Sequence, residues 1–172
     1  MTTPIPYYAA QRLLATTLDG ITDRQPQFIF KTGDTVHNTE TTVQNDPDFV
    51  FPMEADAKYE VHIMVASSGT DGDLKTKWFV PTSGWTGNKW CLGPTLTSTD
   101  RTDTNMRAAS HSFTTEVAYG TAAAGASIMV WEVGVITTTI AGSFVWQSSQ
   151  NTSTANDTTV HSSSYMRVTR IS

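Results

Sequence analysis

Residues 58–69, KYEVHIMVASSG, alternate strictly. Tyr59, Val61, Ile63 and Val65 fall on one parity, and Glu60, His62 and Met64 on the other. Successive side chains of an extended chain point to opposite faces, so this is the mark of a strand with one buried face. LKTKWFVPT (74–82) repeats it, with Leu74, Thr76, Trp78 and Val80 set against Lys75 and Lys77. Gly69–Gly72, GTDG, lies between, and the two segments read as a hairpin. A chain built from such segments folds by stacking sheets.

The period of two recurs in FIFKT from Phe28, in the polar run TETTVQND and in DFVFPMEA, with a turn expected at Asn45-Asp46-Pro47. HSFTTEVAYG, SFVWQSSQNT and TTVHSSSYMRVTRIS read the same way. SIMVWEVGVITTTI is almost continuously apolar, which suggests a central strand buried on both faces and bent at Gly134. Gly84, Gly87, Gly93 and Pro94 make residues 82–110 read as long loops. About eight to ten strands at short spacing predict an all-β antiparallel β-sandwich or jelly roll over 28–172.

Residues 1–27 stand apart as an N-terminal arm. A short helix is expected at about Tyr8–Leu18, ended by Asp19-Gly20. Either it packs on its own domain or it docks on another subunit. In the second case Tyr7, Tyr8, Leu13, Leu14, Leu18 and Ile21 are the anchors. The segment lacks the basic start and apolar run of a secretion signal.

Composition narrows the chemistry. Charged residues make up 16% of the chain and aromatics 10%, which is not the balance of a disordered segment. The net charge of −5 opposes a nucleic-acid binder driven by phosphate contacts. No membrane span is expected, because the run around Ile128–Ile136 is short and carries Glu132. The single cysteine, Cys91, allows neither an internal disulfide nor a cysteine metal knuckle.

No catalytic, cofactor or metal site is expected. His37, His62, His111 and His161 lack metal spacing and read as hydrogen-bonded strand residues. The Asp46/Asp48, Asp71/Asp73 and Asp100/Asp103 pairs read as turn chemistry, not as calcium loops. Glu54, Glu60, Glu116 and Glu132 are the carboxylates a glycosidase would need, and nothing in the sequence pairs them. Nucleophile elbow, phosphate loop and zinc-protease motifs are missing, so the chain does not read as an enzyme. Trp78 and Trp146 are expected in the core. Trp85 and Trp90 are candidates for an exposed contact, including a host surface glycan.

Residues 41–84 and 144–172 carry a further signal. The first runs NDPD, an apolar strand, a YE strand, an acidic turn and KTKWFVP. The second runs WQSSQNTS, a variable turn, TTV, Ser163-Ser164-Tyr165 and a closing Arg-Val. Together they resemble virion proteins of tailed phages of actinobacteria. The chain departs from that pattern in a longer WQSSQNTS and in serine where glycine is usual at the Ser163-Ser164-Tyr165 step. Such proteins look like trimeric jelly rolls of the C1q and tumour-necrosis-factor type.

The resemblance implies a virion surface protein that assembles as a homotrimer. Phe144, Trp146, Gln147, Gln150, Asn151, Tyr165 and Met166 would then lie at the threefold interface. The alternative for that strand pair is a solvated edge hairpin. A short arm suits a capsid decoration protein that binds the major capsid protein. It would be made in the host cytoplasm and carried on the head. A tail receptor-binding protein or a carbohydrate-binding β-sandwich module is the alternative.

Overall fold

The computed structural model describes residues 24–98, 105–123 and 125–172. Twelve strands and no helix occur among them. In chain order they are β1 (Gln27–Phe30), β2 (Thr35–His37), β3 (Gln44–Met53), β4 (Ala57–Gly69), β5 (Leu74–Phe79) and β6 (Trp85–Pro94), followed by β7 (Met106–Ser112), β8 (Val117–Tyr119), β9 (Ile128–Thr138), β10 (Gly142–Gln150), β11 (Thr158–Val160) and β12 (Tyr165–Arg170). The helix expected at 8–18 and the arm anchors Tyr7, Tyr8, Leu13, Leu14, Leu18 and Ile21 lie outside the described residues.

The pairings are nested and antiparallel. β1 pairs β12, β2 pairs β11, β3 pairs β10, β4 pairs β9 and β5 pairs β8. The chain is therefore one long ribbon doubled on itself. Rolling that ribbon brings β12 and β11 against β4, and β10 against β5. The product is an antiparallel β-sandwich with jelly-roll winding. The large sheet runs β1-β12-β4-β9-β6-β7, with β11 and β2 continuing beside β4, and the small sheet runs β3-β10-β5-β8. The β6–β7 pair is an insertion at the tip of the ribbon, docked on the outer side of β9.

The core lies between the sheets. Tyr59, Val61, Ile63 and Val65 of β4 are buried, as their alternation predicts. So are Leu74, Thr76 and Trp78 of β5, Phe144 and Trp146 of β10, and Met166 and Val168 of β12. Trp78 stacks on Phe113 and meets Phe144 edge-on at 5.0 Å, while Phe49 meets Trp146 edge-on at 5.7 Å. Contacts of this geometry add about 0.5–1.5 kcal/mol each to area burial.

Four local expectations are corrected. β4 and β5 form no hairpin, because they belong to opposite sheets. Residues 69–73 carry the chain across the sandwich instead, tied by Gly69 N–H to Ala122 O (2.7 Å) and by Asn151 N–H to Gly72 O (2.9 Å). A short turn crosses the ~10 Å between stacked sheets as readily as it reverses a strand.

Residues 85–94 are a full strand rather than loop. Their glycines answer close approach: a Cβ on Gly87, at φ +137°, would lie 2.0 Å from Val135 O, and one on Gly93 would strike the Tyr119 ring. Asn45-Asp46-Pro47 lies inside β3. The Asp46 side chain does make the turn-type bonds, accepting from Asp48 N–H and Phe49 N–H at 3.1 Å each. They sit beside the shifted register between Val145 and Gln147 of β10, a bulge rather than a chain reversal. Finally, β9 is central but buried on one face only.

Candidate functional site

Three places concentrate chemistry. The first is inside the sandwich. Glu132 projects inward from β9 between Val130 and Gly134 and is fully buried. Across the interior, the small sheet supplies four donors. Thr76 Oγ1 (2.5 Å) and Tyr119 Oη (2.8 Å) donate to Oε1, and the Nε1 atoms of Trp78 (2.6 Å) and Trp146 (3.0 Å) donate to Oε2. Cys91 Sγ–H donates weakly to Oε1 at 3.7 Å from the neighbouring strand. The buried Lys89 Nζ lies 3.9 Å from Oε1 and 5.8 Å over the Trp78 ring. Gly134 completes the fit, since a Cβ there would lie 2.7 Å from the Trp78 ring.

Burial alone would raise the Glu132 pKa. The Lys89 charge and the hydrogen bonds from Thr76, Tyr119 and Trp78 outweigh it and hold the carboxyl below its ordinary value. The four strong donors fill the roughly four acceptor positions of a carboxylate. Glu132 therefore has no free lone pair for a substrate, and it pins the two sheets together. Burial, then the Glu132 charge, push the Cys91 thiol up to about 12. The same two causes push the Tyr119 phenol up.

The second place is where β1 leaves its sheet. Lys31 and Asp46 have fully buried side chains, and Nζ lies 2.6 Å from Oδ2. Thr35 Oγ1 accepts from Nζ at 2.8 Å, Asp48 Oδ2 stands 3.5 Å away, and Nζ sits 5.4 Å over the Phe49 ring. Burial works to raise the Asp48 carboxyl, but donation from Thr32 and the Lys31 charge bring it below its ordinary value.

The third place is the outer face of the large sheet. Strand register aligns Phe30, Tyr165, Met64, Trp131 and Leu92 in one row, and Phe28, Arg167, His62, Val133 and Trp90 in the next. Phe30 is 64% exposed, Trp90 63% and Trp131 43%, with Phe28, Met129 and Val135 also open. Phe28 stacks on Phe30, and Tyr165 lies 6.1 Å from both rings. An apolar band thus crosses β1, β12, β4, β9 and β6. Glu60, ion-paired to Arg167 at 3.6 Å and 3.2 Å from His62 Nε2, interrupts it along one side.

The residues expected at a threefold interface divide. Phe144, Trp146, Gln150 and Met166 are enclosed within the chain's own interior, because their parity faces the opposite sheet. Gln150 is held there by Nε2–H donation to Asn156 O at 2.6 Å. Gln147, Asn151 and Tyr165 are half-buried. Of these, Tyr165 alone belongs to the apolar band described above. Trp85 is buried with its Nε1–H on Ile140 O at 2.9 Å, whereas Trp90 is open.

The other candidate acids are scattered. Glu54 pairs with Arg170 (2.7 Å), beside an open cleft of about 390 Å³ between β1, β3 and β12, and Glu116 pairs with Lys75 (3.3 Å). His37 bonds Ser148 (2.8 Å), and His161 bonds Ser68 (2.9 Å) and Asp34 (3.2 Å). Among the described residues no group of His, Cys, Asp and Glu has the arrangement to hold a metal ion. No helix among them is long and apolar enough to cross a membrane.

Sequence reasoning took Asp46 for turn chemistry and did not single out Lys31 or the Phe28–Phe30–Trp131 band. For the band a signal existed: Met129, Trp131, Val133 and Val135 share one parity on a strand whose other parity fills the core.

No family model and no curated protein matches the sequence. A structure of infectious bursal disease virus, Gx strain, aligns over 87% of this chain and 37% of that chain, with 8% identity and a TM-score of 0.19.

Proposed function

We propose that this chain is a structural protein of a phage virion, a decoration protein that binds the capsid surface as a trimer and stabilises it. The observation that carries the reading is the open apolar band on the large sheet. Monomers in water rarely leave contiguous apolar area beyond a few hundred Å² uncovered. Three copies around one axis cover such a face head to tail, each packing it against a different surface of the next copy. Phe28, Phe30, Tyr165 and Trp131 are then the subunit contacts. Phe144, Trp146, Gln150 and Met166 support that face from within.

The sequence likeness of residues 41–84 and 144–172 to virion proteins supplies the phage setting. The arm supplies attachment to the major capsid protein, where three weak contacts per trimer add by avidity. The test mixes the full chain, or the chain lacking residues 1–20, with empty capsids of the encoding phage and sediments them. The full chain is expected to pellet with capsids, and the shortened trimer to stay in solution. A full chain that ignores capsids overturns decoration. Equal pelleting by both overturns the role of the arm.

Trp90 favours a second reading, a tail receptor-binding or glycan-binding module, because an indole this open offers a face to a sugar ring. Under that reading Trp90→Ala abolishes binding to host cells, and wild-type protein that does not bind cells removes it.

A further inference from the structure

We propose that Lys31 and Asp46 become joined by an amide bond between Nζ and Cγ, formed by the folded chain on itself. The inference does not depend on the virion reading.

Condensing an amine with a carboxylic acid needs four things: contact, a polarised carbonyl, a route for one proton, and exclusion of water. All four converge at this site. Nζ touches Oδ2 at 2.6 Å, one bond from Cγ, and both side chains are fully buried. A held contact of this kind replaces a collision between molecules, and effective concentrations of up to about 10⁵–10⁸ M apply once Nζ turns from Oδ2 onto Cγ. Oδ1 accepts the backbone N–H groups of Asp48 and Phe49 at 3.1 Å each. These two donors are aimed where negative charge develops when Cγ becomes tetrahedral. Asp48 Oδ2 stands 3.5 Å from Nζ, and Thr32 holds that carboxylate through N–H (3.1 Å) and Oγ1–H (2.9 Å). Phe49 closes the floor.

The steps balance without another reactant. The ammonium of Lys31 passes one proton to Asp46 Oδ2 along the short contact, leaving a neutral amine beside a carboxylic acid. The amine lone pair attacks Cγ, the N–C bond forms, and Oδ1 takes the charge beneath the two N–H groups. Asp48 accepts a proton from the attacking nitrogen and returns it to Oδ2. The Cγ–Oδ2 bond breaks, one water leaves, and Asp48 ends as it began.

The second buried pair serves as an internal control. Lys89 lies farther from its carboxylate, at 3.9 Å, and both oxygens of Glu132 are committed to Thr76, Tyr119, Trp78 and Trp146. That pair stays ionic, so one water is lost and not two. The bond would tie the end of β1 directly to β3 in the opposite sheet. A pull on the residues before β1 would then load a covalent bond instead of four-residue strand pairing.

The test is mass spectrometry of the full chain, intact and after tryptic digestion of the denatured protein. Wild type is expected one water lighter than its sequence, uncut after Lys31, with Lys31 and Asp46 in one cross-linked peptide. Lys31→Arg and Asp48→Ala are expected at full sequence mass. Asp46→Asn is expected to lose ammonia instead and to give the wild-type product. Wild type at full sequence mass and cleaved after Lys31 overturns the proposal, and this readout does not require any variant to fold.

Discussion

The indole of Trp78 and the carboxylate of Glu132 come from facing sheets and meet at 2.6 Å. Both are fully buried. Glu132→Gln keeps the shape but presents an amide N–H₂ to donors and strips Lys89 of its counter-charge. Breaking a buried pair this way costs about 3–5 kcal/mol. Urea unfolding of Glu132→Gln is expected to show a loss of that size. Pairing Glu132→Gln with Lys89→Met should recover part of it, and strictly additive losses would mean the two do not interact.

Acid is expected to destabilise the fold in two stages. Burial lowers the His37 pKa from 6.5, against the nearby charge of Glu40. The unfolded chain therefore binds the extra proton first, so stability is full above pH 6.5 and declines below it. Glu132 and Asp34 are held below their ordinary values of 4.5 and 3.8, so their contributions are full above those values and are lost as pH falls through the folded pKa. Thermal unfolding across pH 3–7 should show both stages, and His37→Gln should remove the first one only.

Cys91 is buried and its thiol is pushed up to about 12. Thiolate is the reactive form. Native protein should therefore resist a thiol reagent at neutral pH, with labelling only as fast as unfolding. Rapid native labelling would contradict the packing of β6 against Glu132.

Gly87→Ala should destabilise on the order of 3 kcal/mol, since the new Cβ meets Val135 O in a backbone region closed to alanine. Denaturant midpoints measure it, and a neutral outcome would mean that β6 does not pair with β9 here.

Much of the sandwich is legible in the sequence because alternation is a local property. Tyr59 to Val65, and Leu74 to Val80, announce strands without any partner in view. What the chain does between strands is not local. GTDG at 69–72 reads equally as reversal or as crossing, and only packing of Gly72 against Gln150 and Thr158 selects crossing. Gly84, Gly87 and Gly93 read as loop because the atoms that exclude their side chains come from Ile140, Val135 and Tyr119, elsewhere in the chain. Glu132 reads as an interruption of an apolar run. Its role depends on four donors contributed by three other strands.

The central claim is that the outer face of the large sheet is the subunit contact. Light scattering of the purified chain, beside a Phe30→Ser, Trp131→Ser variant, tests it most directly. The account expects wild type at three times the chain mass, and the variant at one chain mass, still folded, with a lower unfolding midpoint because assembly no longer stabilises it. Wild type at the mass of one chain, or a variant that remains trimeric, would contradict it.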